Sequence, residues 1–100
     1  MALTRAGKAV KGETDLREAL EIRKRVLPPV DVQIVITESA LSECLTAQRR
    51  YVEAETLLLE SYNALKTSQG DQNARTTEAR TRLIKLYEAW RKPDEAARYR

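Results

Sequence analysis

Histidine and phenylalanine are absent from these 100 residues; cysteine, methionine and tryptophan occur once each, glycine and proline three times each. Without histidine there is no imidazole to serve as a general base, and nothing to activate Cys44 as a nucleophile. A lone cysteine forms no internal disulfide, and on the inward side of a helix it serves as a small hydrophobe. No run of about 18 apolar residues occurs, so no segment is expected to span a membrane. There is no phosphate-cradling glycine loop and no metal-binding spacing of cysteines. Asp71 near Asn73 and Glu53 near Glu55 are isolated polar residues, whereas paired catalytic carboxylates need a buried cleft to separate their pKa values. The expectation is a non-enzyme with no cofactor and no metal.

An excess of one charge is also missing. Eighteen Lys and Arg face fifteen Asp and Glu, a net +3 with the signs mixed along the chain. The densest basic run, Arg23-Lys24-Arg25, follows Glu18 and Glu21 and reads as a solvated helix face. No stacking aromatics or recognition motif accompanies it, so nucleic acid is not the expected partner. The opening Met1-Ala2-Leu3-Thr4-Arg5 lacks the apolar stretch of a signal peptide, and a cytoplasmic chain is expected.

What is present is Ala, Leu, Glu, Arg and Lys, the residues of helices. Apolar spacing by three or four predicts a helix over 13–27 carrying Leu16, Ala19, Leu20, Arg23 and Leu27, stopped by Pro28-Pro29. Ahead of it, 1–12 reads as a poorly determined N-terminal segment. A second helix, 31–48, opens on Asp31 as its cap and turns Ile34, Val35, Leu41, Cys44 and Leu45 inward. Its start, Val32 to Ile36, is β-branched, but the helical period continues beyond it and no partner strand exists. A third helix over 51–68 is apolar on more than one side, as suits a helix packed between neighbours, and Gly70 ends it. A fourth covers 73–90, with Ala79, Leu83, Ile84, Leu86, Tyr87 and Trp90 on its apolar positions. A fifth opens at Pro93.

Part of this pattern recurs. Leu41, Leu45, Ala47, Arg49, Glu53 and Ala54 return 42 residues later as Leu83, Tyr87, Ala89, Arg91, Glu95 and Ala96. Such a period is the mark of stacked helical hairpins, in which each pair covers the apolar flank of the next. Ala47 with Ala54, and Ala89 with Ala96, are read as small residues allowing close approach at the crossings. Tyr51 or Trp90 then covers the corner, and Leu58 with Pro93 completes the structural positions.

The segment Tyr51-Val52-Glu53-Ala54-Glu55-Thr56-Leu57-Leu58 resembles the second-helix opening of a tetratricopeptide repeat. The 42-residue spacing is similar to the long-helix variety of kinesin light chains and of C-terminal arrays of bacterial serine/threonine kinases. Residues 86–97 resemble the closing hairpin of those arrays, and 17–27 the second half of a long second helix. The resemblance implies an all-α, right-handed solenoid of about five helices. It would comprise a partial repeat 13–30, a full repeat 31–72 and a shortened repeat 73–100. Gly7-Lys8 falls where the family has a hairpin turn, as do Arg49-Arg50 and Arg91-Lys92. Glycine is usual there, and a left-handed arginine costs about 1 kcal/mol, which suggests a rearranged turn.

The resemblance further implies a scaffold that holds a peptide or protein segment in a groove lined by 31–48 and 73–90. Gln33, Thr37, Glu38, Glu43, Asn63, Asn73, Arg75, Glu78, Arg82 and Lys85 are the binding candidates. Arg75, Arg82 and Lys85 would grip carboxylates, and Asn63 and Asn73 an extended backbone. The alternative is a structural oligomerisation module without a peptide ligand. The face of helix 13–27 formed by Leu16 and Leu20 lacks its usual cover and would support self-association.

Overall fold

The computed structural model describes residues 2–28 and 31–100, with side chains from Gly7 onward. Five helices follow one another: α1 (Ala2–Val26), α2 (Val32–Ala47), α3 (Tyr51–Gln69), α4 (Ala74–Ala89) and α5 (Pro93–Ala97). The fold is all-α, with no strand among the described residues. The β-branched stretch 32–36 is helical because the Asp31 carboxylate caps it, accepting from the Gln33 amide at 2.8 Å. Ile34 and Val35 are then buried in the core, and that burial outweighs their strand preference.

The N-terminal expectations need correction. α1 runs unbroken from Ala2 to Val26, so its start precedes residue 13 and no turn forms at Gly7-Lys8. The flanking Ala, Arg and Lys are strong helix formers, and an interior glycine costs only about 1 kcal/mol against alanine. The chain leaves the helix before Pro28; Pro29, the other half of the expected stop, and Met1 lie outside the described residues.

α2 and α4 end in the same way. Beyond α2, Arg49 adopts φ 62°, its amide donates to the Thr46 carbonyl at 3.0 Å, and that of Arg50 to Leu45 at 2.9 Å. Beyond α4, Arg91 adopts φ 61°, with Arg91 donating to Glu88 at 3.1 Å and Lys92 to Tyr87 at 2.8 Å. These are Schellman reversals, in which a left-handed residue lets two amides satisfy the last carbonyls. The turns are therefore not rearranged: arginine takes the conformation that glycine favours. Gly70 also has positive φ, 88°, but with ψ 161° it lies in a region open essentially to glycine alone.

Each helix packs on its chain neighbours, and α2 also touches α4. α3 lies against both α2 and α4, which explains its broad apolar surface: Ala54, Leu58, Ser61 and Leu65 are buried while Leu57, Leu59 and Tyr62 flank the core. Leu41, Leu45, Leu83, Leu86 and Tyr87 complete that core.

Of the small residues expected at crossings, Ala54 and Ala96 are fully buried, but Ala47 and Ala89 are exposed. They end their helices two residues after the buried Leu45 and Tyr87, about 200° further round, and so face away from the packing. Another small residue at a close contact is Gly12, where an added Cβ would stand 3.0 Å from Cys44 Sγ. The corner is covered as expected: Tyr51 stacks on Trp90 with centroids 5.6 Å apart. Pro93 opens α5 from an exposed position.

The flank of α1 expected to lie bare is covered. Leu20 is buried, and Leu16 and Leu27 pack against the same core, because α2 occupies that side. Leu16 itself is half-buried. Among the described side chains of α1, the large exposed apolar ones are Val10, Ile22 and Val26.

Candidate functional site

The surface shared by α2 and α4 is built around Arg82. From α4 its guanidinium donates across to α2, reaching Glu43 Oε2 at 2.8 Å and Ser39 Oγ at 2.8 Å. Within α4 it pairs with Glu78 at 3.4 Å. Arg82 is thus a clasp between the two helices, not a free cation. Beside it Glu43, Thr46, Arg82 and Lys85 line a depression of about 30 Å³, room for about one water. Positions 75, 78, 82 and 85 form one stripe along α4 at helical spacing, of which Arg75, Glu78 and Lys85 are exposed. Gln33 and Glu43 are exposed on α2.

Other candidates have different settings. Thr37 is 2% exposed: its hydroxyl donates to the Gln33 carbonyl at 2.7 Å and accepts from Arg23 of α1. It ties α1 to α2 and offers nothing to a ligand. The side chain of Asn73 caps α4, its Oδ1 accepting from the Arg75 amide at 2.9 Å. Asp31 caps α2 likewise, 42 residues earlier. Asn63 is exposed but stands on α3, outside the two groove helices. Glu38 is half-buried, with Lys24 of α1 and Glu60 of α3 as its charged neighbours; burial raises its pKa above the usual carboxylate value. Position 38 lies about 140° from Gln33 around α2 and so belongs to another side of the helix.

The densest polar cluster was not among the candidates. Glu13 of α1 accepts from Arg17 and from Gln48 at the end of α2, and its two oxygens Oε1 and Oε2 both accept from Arg50 Nη1, at 2.8 and 2.9 Å. Glu53 in the first turn of α3 accepts from Arg17 at 2.9 Å and Arg50 at 2.7 Å. Two carboxylates and two guanidiniums thereby alternate in a closed ring that fastens α1 to the α2–α3 corner. Hydrogen bonds from Gln48, Arg17 and Arg50 hold the Glu13 carboxyl down at about 2, while its side chain is only 13% exposed. The sequence carried half of this signal, in the i,i+4 pair Glu13/Arg17 and the i,i+3 pair Arg50/Glu53. Their union needed the fold.

Chemically reactive groups are quiet. Burial pushes the Cys44 thiol up, away from thiolate character. The Tyr87 hydroxyl donates to Glu55 at 2.8 Å, and burial followed by that bond raises its pKa. Among the described residues no three acidic or cysteine side chains gather to hold a metal, and no helix is long and apolar enough to cross a membrane. Comparison of the chain with protein-family models, curated proteins and solved structures returns no match.

Proposed function

We propose that this chain is a non-catalytic scaffold of the tetratricopeptide type, holding a peptide or protein segment on the surface formed by α2 and α4. The observation that carries the reading is the recurrence of local geometry at one interval. Asx caps at Asp31 and Asn73, left-handed arginines at Arg49 and Arg91, and buried alanines at Ala54 and Ala96 all stand 42 residues apart. Two hairpins related in this way set α2 and α4 side by side, and the Arg82 clasp holds them in register. A rigid polar surface of this kind suits recognition of an extended segment at little ordering cost.

The test is selection of binders from a random-peptide display library, followed by titration of the recovered peptides. Arg75→Glu with Lys85→Glu should weaken binding by about tenfold or more, since hydrogen bonds to charged groups each contribute about 1.5–3 kcal/mol. Arg82 is left untouched because its loss would loosen the helix pair itself. Failure to recover any peptide, or recovery of peptides indifferent to the double substitution, refutes the proposal.

A further inference from the structure

The two left-handed turns meet at one edge of the molecule. Between them lies a cleft of about 350 Å³ lined by Arg49, Tyr51, Ala89, Trp90 and Arg91. No carboxylate lines it, and neither Arg49 nor Arg91 has an ion-pair partner among the described residues. The other basic residues of these turns are engaged: Arg50 belongs to the ring with Glu13 and Glu53, and the Lys92 ammonium lies 3.8 Å from the Trp90 ring centroid. Arginine at φ 62° and 61° is also an unfavourable choice where glycine is free of strain. The backbone bonds of the turn would form equally well with glycine, and neither guanidinium makes a side-chain hydrogen bond within the described residues that would favour arginine.

We infer that this turn-edge cleft is a second binding site, separate from the α2–α4 surface, which takes carboxylate side chains of an acidic peptide segment between Arg49 and Arg91. Two unpaired guanidiniums on a wall without acidic residues supply the charge complementarity, and each can grip a carboxylate through two parallel N–H bonds. The aromatic pair in the lining favours peptide over nucleic acid. Trp90 is stacked by Tyr51 at 5.6 Å and covered by the Lys92 ammonium, so its ring is not free to receive a base.

Trp90 is the single tryptophan of the chain and reports directly from the cleft. Its emission would be titrated at low salt with hexaglutamate, hexaglutamine and oligothymidylate, using the wild type and an Arg49→Gly, Arg91→Gly double variant. Glycine suits both backbone positions, so the double variant should melt no lower than the wild type. Hexaglutamate is expected to change the emission saturably and hexaglutamine not to change it. The double variant should bind at least about tenfold more weakly, as loss of charged hydrogen bonds predicts. Equal binding by the double variant, no saturable response to hexaglutamate, or tighter binding of oligothymidylate would each overturn the assignment. A clear fall in the variant's melting temperature would overturn it too, by showing that the arginines support the fold.

Discussion

Thr76→Val is the sharpest probe of the packing. Thr76 stands in the first turn of α4, 1% exposed, and its hydroxyl is the one buried side-chain polar atom without a hydrogen-bond partner among the described residues. The residue 42 positions earlier is Ile34, also buried. An unsatisfied hydroxyl costs about 1–3 kcal/mol in a protein interior. Valine keeps the branched shape, and its helix propensity is close to that of threonine, so little offsets the gain. A net stabilisation of about 1–2 kcal/mol is expected, with each kcal/mol raising the melting temperature by about 4–8 °C in a domain of this size. Urea unfolding followed by Trp90 fluorescence measures it, and an unchanged m-value would show a change in stability without a change in the surface exposed on unfolding. Thr37→Val is the matched control. Its hydroxyl is equally buried but bonded to Gln33 and Arg23, so the substitution should destabilise by about 1 kcal/mol. Thr76→Val that is neutral or destabilising would refute the reasoning, as would two variants moving in the same direction.

Three further outcomes follow from the packing and the charged ring. The folded-state pKa of Glu13, about 2, lies below its ordinary value of 4.5; its contribution is therefore full above pH 4.5 and disappears as pH falls toward 2. After screening at the exposed arginines, Glu13→Gln should cost about 1–2 kcal/mol at neutral pH and flatten stability across that acid window, which denaturant titrations between pH 2 and 7 would detect. Ala54→Leu should destabilise by about 1–3 kcal/mol through overpacking between α2 and α3. Ala47→Leu, on the exposed side of α2, should stay within about 0.5 kcal/mol in the same thermal melts. Tyr51→Ala should cost about 0.5–1.5 kcal/mol beyond its lost burial and shift Trp90 emission, because it removes the ring stacked on that indole.

Helix content and the positions of most boundaries could be read from apolar spacing and local stop signals. Asp31 and Asn73 announce their caps, and Pro93 its first turn, because those signals act within a few residues. The continuous α1 was not legible: Gly7-Lys8 matches a turn by analogy of register, while the strong helix formers around it carry the helix through. Ala47 and Ala89 misled for a related reason. Recurrence identifies equivalent positions but does not say which side of a helix they occupy.

Site residues were harder to read still. Arg82, Thr37 and Asn73 have the chemistry of ligand contacts, yet internal partners use it, and those partners stand far away in sequence or occupy the backbone. The ring of Glu13, Arg17, Arg50 and Glu53 joins α1 to α3 and the turn before it, so no local window contains it. Arg49 and Arg91 were visible as departures from glycine, but their convergence on one cleft depends on how the two hairpins stack.

Apart from the α2–α4 contact the helices pack mainly in chain order, with α1 and α5 at opposite ends and no contact between them among the described residues. Local opening at one extremity can therefore proceed without disturbing the other, as in a zipper loosened from either side. Amide exchange should be slowest in α3 and fastest toward α5, whose short helix has a single neighbour. A ligand bound across the turn edge would stitch that loose extremity to the interior, converting occupancy into protection of the last residues.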